Sequence, residues 1–297
     1  MNSIRHHPIG AYLLATYALV LLVFSVPLLA DTGLGLIPVQ LPGIAPFLLV
    51  STVALAGVAF AVTALADGRD GVRELRRRAF RFRVSPLWYA AALLILPLAA
   101  LTVSVIGIGT APLESIASDP GVIVGWLIEL AVAVVLINFW EEIGWTGFVL
   151  HRLQSRFGPL RATVLTTWAQ AAFHVPLLFI AGGLSDTRIP PEQYPFFLAA
   201  LFVLPLGNRV VLTWLYNRSR SSLPVAGIAH ASWNLAAGSA FLPALLPGFE
   251  PLWAYAGFGA LAVVLIVATR GRLGYGSAIR ASTPSATAFA SAEVPAR

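Results

Sequence analysis

The sequence predicts an all-α, polytopic membrane protein with about eight transmembrane helices. Of its 297 residues, 58% are hydrophobic and 11% are charged, whereas soluble domains contain about 45–50% apolar and about 25% charged residues. The apolar residues also form runs of about 20, the length at which a helix crosses a hydrocarbon core of roughly 30 Å. A transmembrane β-barrel would give alternating segments of about 10 residues, and such alternation does not dominate here.

The predicted spans follow one another with short connections. The first has one Arg before it and no small-residue cleavage site, which predicts a membrane span and not a removed signal peptide. In order, the spans cover about residues 9–30, 44–66, 87–108, 122–150, 162–182, 195–216, 224–241 and 252–269. They predict one transmembrane domain over 1–272, and the Ala- and Ser-rich residues 273–297 predict a disordered cytoplasmic tail.

The charges of the connecting loops predict the orientation of these spans. Seventeen of the 19 Arg residues fall on one side of the alternating loops, while Arg188 lies on the other side and Arg209 within a span. The positive-inside rule then predicts cytoplasmic N- and C-termini in a bacterial-type plasma membrane. The rule also accounts for the net charge of +6, so nucleic acid is not an expected partner. Because the chain has no Cys, thiol catalysis and thiolate metal sites are excluded.

Several polar side chains fall within the predicted spans, where each ionisable group costs several kcal/mol and is a functional candidate. They are Glu129, Asn138, Glu141, Glu142, Gln170, His174, Asn208, Arg209, His230 and Asn234. A rise of about 1.5 Å per residue places Glu141, His174, His230 and Asn234 about 9 to 18 Å from the cytoplasmic ends of their helices. We therefore expect these four side chains to meet at one depth, in a catalytic site inside the helix bundle.

A carboxylate, two imidazoles and a carboxamide at one depth are suited to hydrolysis. Glu141 could take a proton from water, while His230 and Asn234 could donate hydrogen bonds to a developing oxyanion. Alternatively, Glu141, His174 and His230 could hold Zn²⁺ with an open fourth position. The spacing leaves both chemistries open, together with a structural role in which Glu and His satisfy one another and fix helix packing.

Three segments of the chain resemble the motifs of the CPBP family, which includes type II CAAX prenyl endopeptidases and bacteriocin-processing Abi proteins. The segments are Glu141-Glu142-Ile143-Gly144-Trp145-Thr146-Gly147, Phe173-His174 and His230-Ala231-Ser232-Trp233-Asn234. The resemblance covers about residues 120–240. It implies an eight-helix intramembrane endopeptidase, of glutamate type or metal-dependent, acting on a membrane-embedded or lipid-modified substrate. It also implies catalytic roles for Glu141, Glu142, His174, His230 and Asn234.

Two positions depart from the family pattern. Thr146 stands where the first motif usually has Arg, and we expect Arg209 either to supply the missing charge or to extend to the inner interface. Gln170 stands where the second motif commonly has Phe. It shares a helix face with His174 and could orient that ring or the water.

Two other functions are consistent with the same residues. A non-catalytic immunity or scaffold protein of this fold would explain Thr146, and a proton-coupled transporter would use the carboxylates and His as a relay. A transporter predicts polar groups continuing to the outer face, where Glu129 alone is available. The sequence contains none of the HExxH, GxSG and GxGD motifs of other membrane proteases, which favours the glutamate-type interpretation.

Overall fold

The structure is a computed structural model that describes residues 2–185, 187–237 and 250–276. Within these ranges every regular element is helical, which confirms the predicted all-α class. Most of the predicted tail and the end of the seventh predicted span lie outside the described residues.

The first half of the chain forms helices over the predicted spans, although the helix over the second span continues to Ala79 instead of ending near residue 66. In order they are α1 (Asn2–His6), α2 (Pro8–Leu29), α3 (Ala45–Ala79), α4 (Pro86–Ile108), α5 (Ala111–Ser118) and α6 (Gly121–Ala133). Helix α3 changes direction at Gly68, whose φ of 68° and ψ of −158° are not helical. Glycine accepts this positive φ without the steric cost that a side chain would bring.

The helix that begins with α6 continues to Leu150 through two π-helical segments. The first covers Val134–Asn138, the short helix α7 covers Phe139–Glu142, and the second π-helical segment covers Ile143–Leu150. The whole stretch matches the predicted span 122–150. π-Helical turns interrupt α-helices mostly as short insertions, frequently at functional sites. Here they flank the two consecutive glutamates of the first motif.

The remaining helices complete the bundle. They are α8 (His151–His174), followed by a 3₁₀ turn (Val175–Phe179); a second 3₁₀ turn (Pro191–Gln193) followed by α9 (Tyr194–Val203); α10 (Pro205–Arg218); α11 (Leu223–Ala237); and α12 (Pro251–Thr269). Helix α8 is broken at Gly158, with φ 74° and ψ 170°. Because Gln170 beyond this break contacts Glu141 before it, the chain folds back between them.

Six helical stretches of the described residues are long and apolar enough to cross a membrane: Pro8–Leu29, Ala45–Ala79, Pro86–Ile108, Gly121–Phe179, Pro191–Arg218 and Pro251–Thr269. The protein is therefore an integral membrane protein of polytopic type. Gly121–Phe179 contains two of the predicted spans, and the described part of α11 has 15 residues. The total of eight spans and the cytoplasmic location of the termini stay predictions.

Two large apolar clusters contain most of the buried hydrophobic residues. One joins α2 and α3 to the second π-helical segment, and the other joins α4, α10, α11 and α12. Gly227 lets α11 approach α7 closely, because a Cβ at this position would lie 3.1 Å from the Cα of Phe139. His230 follows Gly227 by three residues, so this close approach brings its ring next to the glutamates.

Candidate active site

Glu141 and Glu142 lie side by side in α7, and both side chains are buried. The exposed fraction is 5% for Glu141 and 0% for Glu142. Burying a carboxylate is costly unless hydrogen bonds or an opposite charge compensate it. The partners of each glutamate therefore indicate what each does.

Glu142 is bound by three side chains from three parts of the fold. Nη1 of Arg209 lies 3.2 Å from Oε1 and 3.1 Å from Oε2, and the hydroxyl of Thr146 donates to Oε2. Nδ1 of His230 lies 2.7 Å from Oε1. This separation suits a hydrogen bond, although the N–H direction is poorly aligned with the oxygen. Glu142 is thus an ion-paired carboxylate in the interior of the bundle.

The pairing of Arg209 decides between the two placements that the sequence left open. Its side chain is 1% exposed, and Nη1 also donates to the hydroxyl of Thr146 at 3.2 Å. The guanidinium therefore points into the bundle, and the interpretation that it extends to the interface is wrong. It lies beside Thr146, the position at which the resemblance leads one to expect an arginine. Glu142 was not identified as its partner in the sequence analysis.

Glu141 has fewer partners than its neighbour. The side-chain amide of Gln170 donates to Oε2 at 3.3 Å, and Nε2 of His230 lies 4.0 Å from the same oxygen. Within the described residues Oε1 accepts no hydrogen bond. Glu141 is thus a buried carboxylate without an arginine of its own, and one of its oxygens is free to bind another group.

His174 ends α8, where the helix tightens into a 3₁₀ turn. Its Nδ1 lies 2.8 Å from the carbonyl oxygen of Gln170. A carbonyl can only accept, so Nδ1 carries the hydrogen and Nε2 of the neutral ring keeps its lone pair. The ring is partly exposed. Gln170 therefore connects two predicted site residues, since its side chain contacts Glu141 and its backbone holds His174.

His230 lies between the two glutamates and is 2% exposed. Its ring stacks on Trp233, one turn later, with centroids 4.8 Å apart. Because Nδ1 faces the carboxylate of Glu142, the contact is favourable only when Nδ1 carries a hydrogen. In the neutral ring Nε2 then has a lone pair. The predicted donation from His230 to an oxyanion consequently requires the imidazolium.

Two asparagines near the site differ in their surroundings. Asn234 follows His230 by one turn of α11, yet its side chain is exposed and forms no hydrogen bond with the described residues. Asn138 lies one turn before the glutamates, is 1% exposed, and neither atom of its amide has a described partner. The sequence marked Asn138 as a polar residue in a span without assigning it a role.

The predicted metal ligands are not gathered into a metal site. Among the residues that the structure describes, no group of three His, Asp or Glu side chains is arranged to hold an ion. Glu141 and His230 are 4.0 Å apart at their closest atoms, and Nε2 of His174 keeps the lone pair that a metal ligand needs. Zinc binding by Glu141, His174 and His230 stays a prediction.

Comparison with known proteins shows which family the central part of the chain resembles. Residues 123–236 match the family model for type II CAAX prenyl endopeptidase, Rce1-like. This segment is therefore similar to the Rce1-like family. The resemblance predicted from the three motifs is thereby confirmed, and every predicted site residue lies inside the matched segment.

A curated relative agrees with the family match. The chain is 28% identical over 102 residues to a protein named CAAX prenyl protease 2 from Methanococcus maripaludis. The alignment covers 34% of this chain and 37% of that protein. The chain therefore matches little more than a third of the relative's length.

Proposed function

We propose that this protein is an intramembrane endopeptidase that hydrolyses a peptide bond in a membrane-embedded or lipid-modified substrate. The Rce1-like segment supports a CAAX-protease-like enzyme. The observation that carries the proposal is the contrast within α7. Glu142 is paired with Arg209, while Glu141 keeps an unpaired oxygen and lies 4.0 Å from the imidazole of His230. A site of this kind has a base free for chemistry and a second carboxylate to hold its surroundings.

Water activation is assigned to Glu141 and His174. The free Oε1 of Glu141 and the Nε2 lone pair of His174 are each able to accept a hydrogen bond from water. Glu141 takes a proton as the water oxygen bonds to the scissile carbonyl carbon, and the carbonyl oxygen becomes an oxyanion. General base catalysis of this type accelerates a reaction by about 10²–10⁴-fold.

His230 then carries the proton to the leaving group. Its Nε2 is 4.0 Å from Oε2 of Glu141, a separation that one bridging water spans. The imidazolium formed in this way is stabilised by the carboxylate of Glu142. It delivers the proton to the amide nitrogen as the C–N bond breaks, which releases the amine and leaves a new carboxyl group.

Stabilisation of the oxyanion is assigned to Asn234 and to the protonated ring of His230. The exposed amide of Asn234 has donors that the described residues do not use, and it lies one helical turn from His230. Preorganised donors of this kind typically raise kcat by about 10²–10³-fold. His230 joins Asn234 as a donor only after it has accepted the proton.

The scaffold alternative depended on Thr146, and the geometry weakens that argument. The Thr146 hydroxyl binds both Glu142 and Arg209, so the departure from the motif is compensated by an arginine from α10. A non-catalytic scaffold has no evident use for this costly buried network. Glu129, the carboxylate that a transporter relay would use, is exposed on α6 away from the network.

The test compares purified wild type with Glu141→Gln and a matched control, Glu129→Gln, in nanodiscs. Each sample is incubated with prenylated C-terminal peptides and with transmembrane peptides, and its metal content is measured by mass spectrometry. We expect wild type and Glu129→Gln to cleave at least one peptide class. Glu141→Gln should be slower by about 10²–10⁴-fold.

The outcomes separate the alternatives. Equal cleavage by Glu141→Gln and wild type would reject the assignment of Glu141 as the base. Failure of folded wild type to cleave any peptide would favour the scaffold function. A third outcome is a stoichiometric metal ion whose removal by a chelator also abolishes activity. That result would reject metal-free activation of water in favour of metal-assisted hydrolysis.

A further inference from the structure

Three arginines lie close together at one end of the helices, outside the site described above. Arg77 is in the last turn of α3, Arg81 follows the end of that helix, and Arg220 lies between α10 and α11. The Oγ of Ser222, two residues after Arg220, donates to the carbonyl oxygen of Arg81 at 2.8 Å. Arg77 precedes Arg81 by about one helical turn. Arg77, Arg81 and Arg220 are called the arginine cluster below.

The charges of the arginine cluster are only partly compensated. A carboxylate oxygen of Glu74 lies 2.8 Å from Arg77, but Glu74 also faces Arg78, whose Nε is 3.6 Å from its other oxygen. Arg81 and Arg220 take part in none of the ion pairs of the described residues. Nε of Arg81 is buried and finds no hydrogen-bond partner in the described part of the chain, whereas most buried donors have one.

The surroundings of Arg81 are unfavourable for its own charge. Burial lowers the pKa of Arg81, and the charges of Arg77 and Arg220 lower it further, while Glu74 offsets part of this effect. A guanidinium nevertheless stays protonated in proteins. The arginine cluster therefore presents unbalanced positive charge and an unused donor, which together suit an anion.

Arg220 stands at a backbone position that favours glycine. Its φ is 61°, and that of Ser221 is 63°. The chain leaves α10 here, and the N–H of Ser221 donates to the carbonyl oxygen of Tyr216 at 2.9 Å. Helices commonly end in a left-handed residue of this kind, which is usually Gly. An exposed charged side chain is thus kept where glycine would be less strained.

Exposed aromatic rings flank Arg81 on both sides. Phe80 is 53% exposed and Phe82 is 57% exposed, and their ring centroids are 6.4 Å apart. Both lie between the end of α3 and the start of α4, two helices that are apolar enough to span a membrane. This segment is therefore at the level of the lipid headgroups. Cations beside apolar rings at that level match a phospholipid, which joins a charged phosphate to apolar chains.

We propose that the arginine cluster binds the phosphodiester group of an anionic phospholipid, whose acyl chains lie against Phe80 and Phe82. Arginine suits this ligand because a guanidinium can bind phosphate through two parallel N–H donors. The lipid joins the α3–α4 connection to the start of α11, the helix that carries His230. It should therefore stabilise the fold. The proposal does not depend on the peptidase function.

The test measures lipid binding to the purified full chain in detergent by native mass spectrometry. Phosphatidylglycerol is compared with phosphatidylcholine of the same acyl chains, and inorganic phosphate is added as a competitor. The cluster variant is Arg81→Gln/Arg220→Gly, in which glycine accepts the positive φ at position 220. The control, Arg69→Gln/Arg156→Gln, removes two exposed arginines outside the cluster and so changes the net charge equally.

We expect wild type and the control to bind phosphatidylglycerol more tightly than phosphatidylcholine. The cluster variant should bind phosphatidylglycerol about tenfold more weakly or worse, since each basic residue near lipid phosphates contributes about fivefold. Phosphatidylglycerol should also raise the unfolding temperature of wild type and the control, but not that of the cluster variant.

Three results would overturn the proposal. Equal losses of affinity in the cluster variant and the control would show that net charge, and not a site, attracts the lipid. Equal binding of both lipids by wild type would exclude recognition of the anionic headgroup. Displacement of phosphatidylglycerol by inorganic phosphate at the concentration of the lipid would assign the cluster to a free anion.

If the cluster variant does not fold, the single variant Arg220→Gly takes its place, because it changes one exposed side chain and relieves the backbone. Its affinity for phosphatidylglycerol should fall by about fivefold, with Arg69→Gln as its control. An affinity equal to that of Arg69→Gln would contradict the proposal.

Discussion

Glu141 and Glu142 are neighbours in sequence and share a helix, a depth and a nearly complete burial, yet their surroundings differ. Glu142 is held by an arginine, a threonine hydroxyl and an imidazole, whereas Glu141 is held by one amide. The number and charge of the partners therefore separate two identical side chains into different roles. Glu142 organises the site, and Glu141 remains available for the reaction.

Among the variants that test this comparison, Glu142→Gln is expected to change the stability of the protein most. The substitution leaves the buried guanidinium of Arg209 without its counter-charge, and breaking a buried ion pair in this way costs about 3–5 kcal/mol. Chemical or thermal unfolding in nanodiscs should show a clear loss of stability. Glu142→Asp, which keeps the negative charge, serves as control. It should lose less stability, because it retains the carboxylate. A Glu142→Gln protein as stable as wild type would contradict the organising role.

A smaller effect is expected from Thr146→Val. Valine keeps the shape of threonine and removes the hydroxyl that contacts Glu142 and Arg209. An unfilled buried hydrogen bond costs about 1–3 kcal/mol, while the ion pair itself is retained. Denaturation curves measure this loss, and Thr146→Ser should recover most of it. Equal stability of the valine and serine variants would show that the hydroxyl contributes nothing.

The smallest effect on stability, with a selective effect on activity, is expected from Gln170→Met. Methionine fills a similar volume but cannot donate to Glu141 or accept from Arg209. The peptidase rate should fall by about tenfold, the equivalent of one hydrogen bond of about 1–1.5 kcal/mol. Measurement of kcat and KM tests this. Gln154→Met is a matched control, since Gln154 is also buried but pairs with Asn217 outside the site; similar losses of kcat in both variants would argue against a role at Glu141.

The sequence alone was sufficient to predict the fold class and most of the residues that form the site. Runs of apolar residues predict where helices begin and end, so the predicted span 122–150 agrees with the stretch from α6 to Leu150. Polar residues in such runs must find partners. Glu141, Glu142, Gln170, Arg209 and His230 are all found in one network.

The partners within this network required the tertiary structure. A helical repeat gives the face on which a side chain lies, but it does not give the neighbour that this face meets. The pairing of Arg209 with Glu142 depends on where the fold places α10 relative to α7, and the close approach of α11 depends on Gly227. For the same reason, the shared face of His230 and Asn234 did not reveal that one side chain is buried and the other exposed.

The most direct test of the account measures stability and cleavage on the same preparations of Glu141→Gln and Glu142→Gln. The account predicts that Glu141→Gln unfolds close to the wild-type temperature and has lost peptidase activity, whereas Glu142→Gln is markedly less stable. A stable Glu142→Gln protein, or a Glu141→Gln protein that cleaves its substrate at the wild-type rate, would contradict the division of roles between the two glutamates.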